Sequence, residues 1–381
     1  MGSSTQTARR LIANLDCEAA FAEYAGVSRY HLTRPVARRI SALGTLLSVF
    51  GRAGDALWTP QPVASERCPR AGGVVLESGP LSERPAAAVL AWGETAEVAS
   101  LRARGVGSPA VPGADWPTRL WSLHADPGAV VRGNDRRFCF TLQARYGYLL
   151  PDAAILDSLP AVRAHLADCA IGAEQSWVLE APFAASGRLR VRRRGRALDR
   201  AIEVRIERLL ARFGSLCFAP WVERGVDLGC LGVIDGSDHW QVFEPHRLDV
   251  DHAGVFRGVD LTPGEWLSDA HRAAVREAAE RAAEALAGIG YRGPFGIDGF
   301  TYRCPRQGGA SRLQPMCEIN ARLSFGFVAH AWAWRRGAHA LRLRVGTGAP
   351  KLERGATGAG DLLLAPGGDD DCAAWLELDR A

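Results

Sequence analysis

In the stretch CEINARLSFGF (317–327), an acid, an amide and a guanidinium occupy alternate positions: Glu318, Asn320 and Arg322. Side chains alternate faces along a strand, so these three project together, while Ile319, Ala321 and Leu323 take the other face. A buried charge must be paired or bound to an ion. Upstream lies a second run, GPFGIDGFTYR, with Asp298 ten residues before Gly308; Glu318 lies ten residues after it. In a simple hairpin turning at Gly308-Gly309 the two carboxylates sit opposite each other, an arrangement that is repulsive unless a cation intervenes. Two carboxylates, an amide oxygen and waters make a hard-oxygen site of the kind that binds magnesium and bridges it to nucleotide phosphates. Arg322 is placed to meet a phosphate or a negative transition state. The other reading is a polar edge strand whose carboxylates are solvated or paired to arginines.

These residues need a scaffold. The segment 268–290 reads as a long helix capped at Ser268 or Asp269 and stopped by glycine, directly before the two strands. A tryptophan- and arginine-rich helix follows near 327–345. Further upstream, 152–169 reads as a strand and a helix capped by Ser158, 176–195 as strand–loop–strand, and 199–213 as a helix. Residues 215–235 read as two strands turning at Arg224-Gly225. Near the front, GVVLESG (73–79) and AAVLAWG (87–93) read as buried strands among helices at 36–52 and 95–104. The organisation expected is an α/β (α+β) chain with a first α/β domain over 1–125 and a main domain over 126–345. Within the latter, about 174–235 forms a central subdomain and 236–345 a C-terminal one; 346–381 is a peripheral tail.

Composition sets limits. The chain has 381 residues, 47% hydrophobic and 23% charged, with no apolar run of transmembrane length. The beginning lacks an apolar signal core, and the nine cysteines include no CxxC, which predicts a cytoplasmic protein with reduced thiols. A net charge of +4 is too mild to argue for nucleic acid. Of 46 basic residues only Lys351 is lysine, so any task lysine usually performs falls to arginine. The run RLRVRRRGR (188–196) is a solvated strand–turn region or a phosphate-facing surface. Neither a P-loop nor a G-x-S-x-G elbow is present. His246 and His330 each stand alone, without metal-ligand spacing. Arg247 and Arg257 suit a surface role or the capture of a substrate carboxylate.

GYRGPFGIDGF followed by CEINARLSFGF resembles the C-terminal signature of the ATP-grasp superfamily, and the resemblance extends over about 130–340. It implies an ATP-grasp fold preceded by an α/β partner domain. It implies that Asp298, Glu318 and Asn320 hold Mg2+ (or Mn2+), and that Arg322 serves at the reaction centre. WVLEAPFAASGR resembles the strand and small-residue loop that cover the ATP phosphates. FAPWVERGVDLGCLGVI resembles the linker that meets adenine, which places Trp221, Val222 and Glu223 there and Asp227 near the ribose. The family's phosphate-holding lysine is absent: Glu180 stands in its place, and Arg188, or Arg190 and Arg192, are the replacements at hand. The function implied is an ATP-dependent ligase joining a small-molecule or peptide carboxylate to an amine or thiol through an acyl phosphate. A kinase on the same fold, or a nucleotide-binding module without turnover, is the alternative. A homodimer is compatible with this class; a membrane partner is not expected.

Overall fold

The computed structural model describes residues 9–27, 33–63, 73–81, 86, 88–105, 114–169, 171–183, 189–251, 254–303, 310–346, 362–365 and 373–378. The first domain is built on a parallel sheet ordered Val75–Ser78, Ala56–Thr59, Arg10–Ile12, Val89–Ala91. Two of these strands, Arg10–Ile12 and Ala56–Thr59, are not expected from sequence. They are only three and four residues long, too short to display a period. In an open parallel sheet, ligands bind beyond the carboxyl ends of the strands. Beyond those ends come Leu15 and Asp16 after one strand, Glu18 on the helix Cys17–Tyr24, and Trp92 after the neighbouring strand, and all four line the main cleft.

A second, antiparallel sheet is ordered Ala154–Leu156, Leu216–Trp221, Ser176–Glu180, Arg190–Arg194. Helices Leu159–Asp168, capped by the Ser158 hydroxyl, and Arg200–Phe213 pack on each other and accompany this sheet. Its centre is Trp177, fully buried, with Nε1 donating to Gly195 O at 2.7 Å.

The third sheet is antiparallel and has nine strands. Its order is Ser311–Asn320, Gly293–Arg303, Glu223–Ile234, His246–Val250, Phe256–Asp260, Leu341–Gly346, Ala373–Leu378, Leu362–Ala365, with Trp240–Val242 also on Glu223–Ile234. Helix Asp269–Gly288 covers it with a buried row, Val275, Ala278, Ala279, Ala282, Ala283 and Leu286. Small side chains let helix and sheet approach closely.

The structure corrects four expectations. The break between sheets falls at Val222, not at Arg224-Gly225, which lie inside one continuous strand, Glu223–Ile234. The C-terminal helix is Phe325–Arg336, and Leu341–Gly346 is a strand whose residues alternate buried and half-buried. The segment read as a peripheral tail supplies Ala373–Leu378 to the large sheet, with Ala374 and Leu376 fully buried. Finally, the strand bearing Glu318 and Asn320 ends at Asn320, and Arg322 follows in a tight turn in which its N–H donates to Asn320 O at 2.9 Å.

Candidate functional site

A cleft of about 560 Å³ opens where the three sheets converge. Gly296, Asp298 and Phe300 alternate onto it from the strand Gly293–Arg303, and Glu318 and Asn320 from its neighbour. Asp298 and Glu318 are cross-strand partners, as are Gly296 and Asn320. The symmetric hairpin behind that expectation is not what produces the pairing. Beyond Asp298 the ladder shifts, Phe300 pairing with Gln314, and Gly299 faces the extra residues of a bulge. A Cβ on Gly299 would meet Gln314 O and Pro315 O at 2.7 and 2.8 Å, so only glycine fits there. The expected turn, Gly308-Gly309, lies outside the described residues.

Asn320 Nδ2 donates to Asp298 Oδ2 at 3.2 Å, and Asn320 Oδ1 accepts from Arg322 Nη2 at 3.0 Å. Burial raises the Asp298 carboxyl to about 7, and Glu318 opposite reinforces the shift. That excess of negative charge is what a bound cation relieves. Among the described residues, no three His, Cys, Asp or Glu cluster as a metal site. The two carboxylates are hard-oxygen donors of the kind magnesium takes beside waters and substrate phosphates; the Asn320 amide turns its NH2 to Asp298 and its oxygen to Arg322, so it would join a metal only with the amide rotated.

The next feature is not legible in the sequence. Arg136 reaches into the site with its side chain only 10% exposed, pairing with Glu318 at 2.9 Å and with Glu180 at 3.5 Å. Its local setting explains how. Asp135 caps helix Arg136–Tyr146 by accepting from Arg137 N, and Arg136 N donates to Pro182 O, next to the Glu180 strand. Two residues before Arg136, Asn134 brackets Ala321: its Oδ1 accepts from Ala321 N at 3.1 Å and its Nδ2 donates to Ala321 O at 3.2 Å. Ala321 sits between Asn320 and Arg322, so Asn134 fixes the backbone from which both project. Gly133 permits this approach, since a Cβ there would lie 2.7 Å from Leu286 Cδ2 and 2.9 Å from Ala321 Cβ. The one sequence signal is Gly-Asn-Asp before a helical run, a cap motif.

Arg322 also has a partner in the first domain. Its Nη2 meets Glu18 Oε1 at 2.6 Å, and Nη1 donates to Leu323 O at 3.1 Å. Trp221 and Val222 line the cleft where the chain passes from the second sheet to the third; Glu223 does not. Arg192 lies 3.8 Å over the Trp221 ring, with Arg190 and Arg224 at 5.6 and 5.8 Å. Asp227 lines the cleft and is held by Arg224 at 2.9 Å.

Arg257 reaches the cleft but is paired with Asp251 at 2.8 Å. Arg247 is exposed and absent from the lining, because His246, Leu248 and Val250 alternate inward on that strand and Arg247 points the other way. Arg188 lies outside the described residues. His246 is buried in the cleft wall, its ring 5.4 Å from His330; burial lowers the pKa of both rings, His330 to about 4.

No family model and no curated protein matches this sequence. Solved structures do. N5-carboxyaminoimidazole ribonucleotide synthetase from Thermus thermophilus is 14% identical with a TM-score of 0.56, over 98% of this chain and 94% of that one. Biotin carboxylase from Campylobacter jejuni, solved with an ATP analogue, is 12% identical with a TM-score of 0.59, over 98% and 87%. The biotin carboxylase domain of Hydrogenobacter thermophilus 2-oxoglutarate carboxylase, solved with MgADP, ADP and bicarbonate, is 12% identical with a TM-score of 0.57, over 98% and 87%. At these identities what is shared is the fold: this chain has the ATP-grasp fold, with an α/β domain before it.

Proposed function

We propose that the protein is an ATP-dependent ligase that activates a carboxylate as an acyl phosphate and passes the acyl group to an amine. The observation that carries the reading is the convergence of Asp298, Glu318 and Asn320 with Arg322 and Arg136 on one cleft of an ATP-grasp fold. Magnesium held by Asp298, Glu318 and Asn320 would neutralise the phosphates of ATP. A carboxylate oxygen attacks the γ-phosphorus and the bond to the β-phosphate oxygen breaks, releasing ADP. The amine nitrogen then attacks the acyl carbon, the C–O bond to phosphate breaks, and the nitrogen gives up its proton. Arg322, enclosed and held by Glu18, offers a fixed guanidinium to the charge that develops in both steps. Arg136, between Glu180 and Glu318, offsets the negative charge of Glu180, which stands where the resemblance places a lysine. Trp221 and Val222 meet the adenine and Asp227 the ribose.

The test is release of ADP and phosphate from MgATP in the presence of pooled carboxylates and amines, with condensed products read by mass. Glu318→Gln should abolish turnover in a protein that still folds. ADP release with a stable phosphorylated product would replace the ligase by a kinase. MgATP affinity with no turnover across the pools would make the Glu180 substitution a loss of catalysis.

A further inference from the structure

The first domain offers the cleft a wall whose chemistry differs from the metal end. On helix Arg34–Gly44, the residues Val36, Arg39, Ile40 and Leu43 line the cleft. Their spacing of three, one and three residues is a single helical stripe, so an arginine interrupts an otherwise apolar face. Beside it Trp92, Phe325 and Phe256 form a continuous aromatic surface. Trp92 and Phe325 lie 5.0 Å apart, and Phe325 and Phe256 are stacked at 5.2 Å with 12° between the planes. All three line the cleft, and Val255 beside them is 41% exposed.

The charges sort differently. Arg322 is paired with Glu18, Arg257 with Asp251, Arg224 with Asp227, and Arg136 with Glu180 and Glu318. Arg39 has no ion pair or hydrogen bond among the described residues. An exposed guanidinium set in an apolar stripe has a waiting carboxylate as its best partner, because the apolar neighbours strengthen the contact and offer it no competing acid. On the same domain Asp16 lines the cleft beside the Glu18–Arg322 pair, which gives an amine polar neighbours there.

Building on the ligase reading, we propose that the amine substrate is an α-amino acid with an apolar, preferably aromatic, side chain. Its carboxylate lies on Arg39, its side chain on the Trp92–Phe325–Phe256 surface, and its amine faces the Glu18–Arg322 pair. A phosphorylated amine is disfavoured, because the helix Arg34–Gly44 brings a single guanidinium to this wall and a dianion needs more than one.

Calorimetric titration of the full-length protein, with and without MgADP, tests this. L-Phenylalanine and L-leucine should bind, L-glutamate and glycine far more weakly. Phenethylamine, which lacks the carboxylate, should lose about tenfold or more. Arg39→Gln should weaken L-phenylalanine by a similar factor, and Arg39→Lys should recover part of it. Binding of phenethylamine as tight as that of L-phenylalanine, no effect of Arg39→Gln, or preference for glycine or glutamate overturns the proposal. MgADP binding to the unaltered protein is read separately. If MgADP binds and no amino acid does, this subsite is wrong and the nucleotide reading stands. If MgADP fails to bind, the nucleotide reading falls, and the amino-acid titrations still decide the subsite.

Discussion

Arg136 holds two carboxylates at once, so replacing it leaves two acids without their cation. The contacts are 2.9 Å to Glu318 and 3.5 Å to Glu180. At an effective dielectric of about 20, each attraction is worth about 5 kcal/mol before desolvation is subtracted. Desolvation takes back much of that, and the measured cost of breaking a buried pair is about 3–5 kcal/mol. Glu318 is 37% exposed, so water screens the charge left behind and places the expectation near the lower end, about 3 kcal/mol. Arg136→Met keeps most of the volume and removes the charge. The expected result is a chemical-denaturation midpoint lowered in proportion, with a melting temperature about 4 °C lower for a chain of this size. The decisive arm is Arg136→Met combined with Glu180→Gln. Removing the stranded carboxylate should restore about 1–2 kcal/mol, because an uncompensated charge costs more than an absent pair. A single variant within about 0.5 kcal/mol of the parent, or a double variant less stable than the single one, would refute the reasoning.

Other outcomes follow from the same geometry. Asp298→Asn removes the repulsion with Glu318 and should stabilise the protein in chelator while weakening MgATP binding; a melting curve and a nucleotide titration read the two effects. Arg322→Lys should lower kcat about 100- to 1000-fold and change nucleotide affinity much less, because lysine lacks the planar fork; an unchanged kcat removes Arg322 from the chemistry. Gly133→Val, whose first added carbon already falls 2.7 Å from Leu286, should cost about 1–3 kcal/mol and lower activity through the shifted Ala321 backbone; a fully active, equally stable variant contradicts the close fit. Burial depresses the pKa of both His246 and His330, the latter to about 4, so unfolded chains take up protons that the folded state refuses. Stability from this pair is therefore complete above about pH 6.5 and should fall as pH drops toward 4, with a shallower slope in His330→Phe.

Residues that act through a local period are readable in the sequence. Alternation places Asp298, Glu318 and Asn320 on one face, and the Ser158 and Ser268 caps fix two helix starts. What cannot be read depends on contacts distant in sequence. Arg136 meets Glu318 across 182 residues, and Asn134 meets Ala321 across 187. Arg136 is one of dozens of arginines, and Asn134, one of three asparagines in the chain, sits in what reads as an ordinary cap motif. Arg322 shows the limit of a period argument: two residues past Asn320 it continues the alternation on paper, yet the strand has ended, and Glu18 from another domain sets its direction. Leu341–Gly346 reads as helix from sequence because its arginines alternate with apolar residues over too short a span to separate the two periods.

The near-absence of lysine connects these observations. A lysine ammonium is a compact point charge, suited to one phosphate reached from a strand. Placing arginine on the same strand would project a longer, forked group into the space that the phosphates need. In this chain the strand position carries Glu180, and its charge is offset by Arg136, which enters the cleft from a capped helix. The planar guanidinium has enough donors to hold Glu180 and Glu318 together. It thereby ties the second sheet to the strand that bears the metal-ligand candidates, which a single ammonium on a flexible stem does less rigidly. Glu180 helps to orient Arg136, and under the proposed function this pairing would lessen its repulsion of a phosphate. The same logic gives Glu18 its place beside Arg322: each guanidinium at the reaction end is held by an acid from another element. Glu18 thus ties the first domain to Arg322, and Glu180 ties the second sheet to the Glu318 strand through Arg136. Loss of either acid should therefore loosen the domains and lower the rate together, whereas loss of Arg39, unpaired among the described residues on the far wall, should touch only the affinity for the amine.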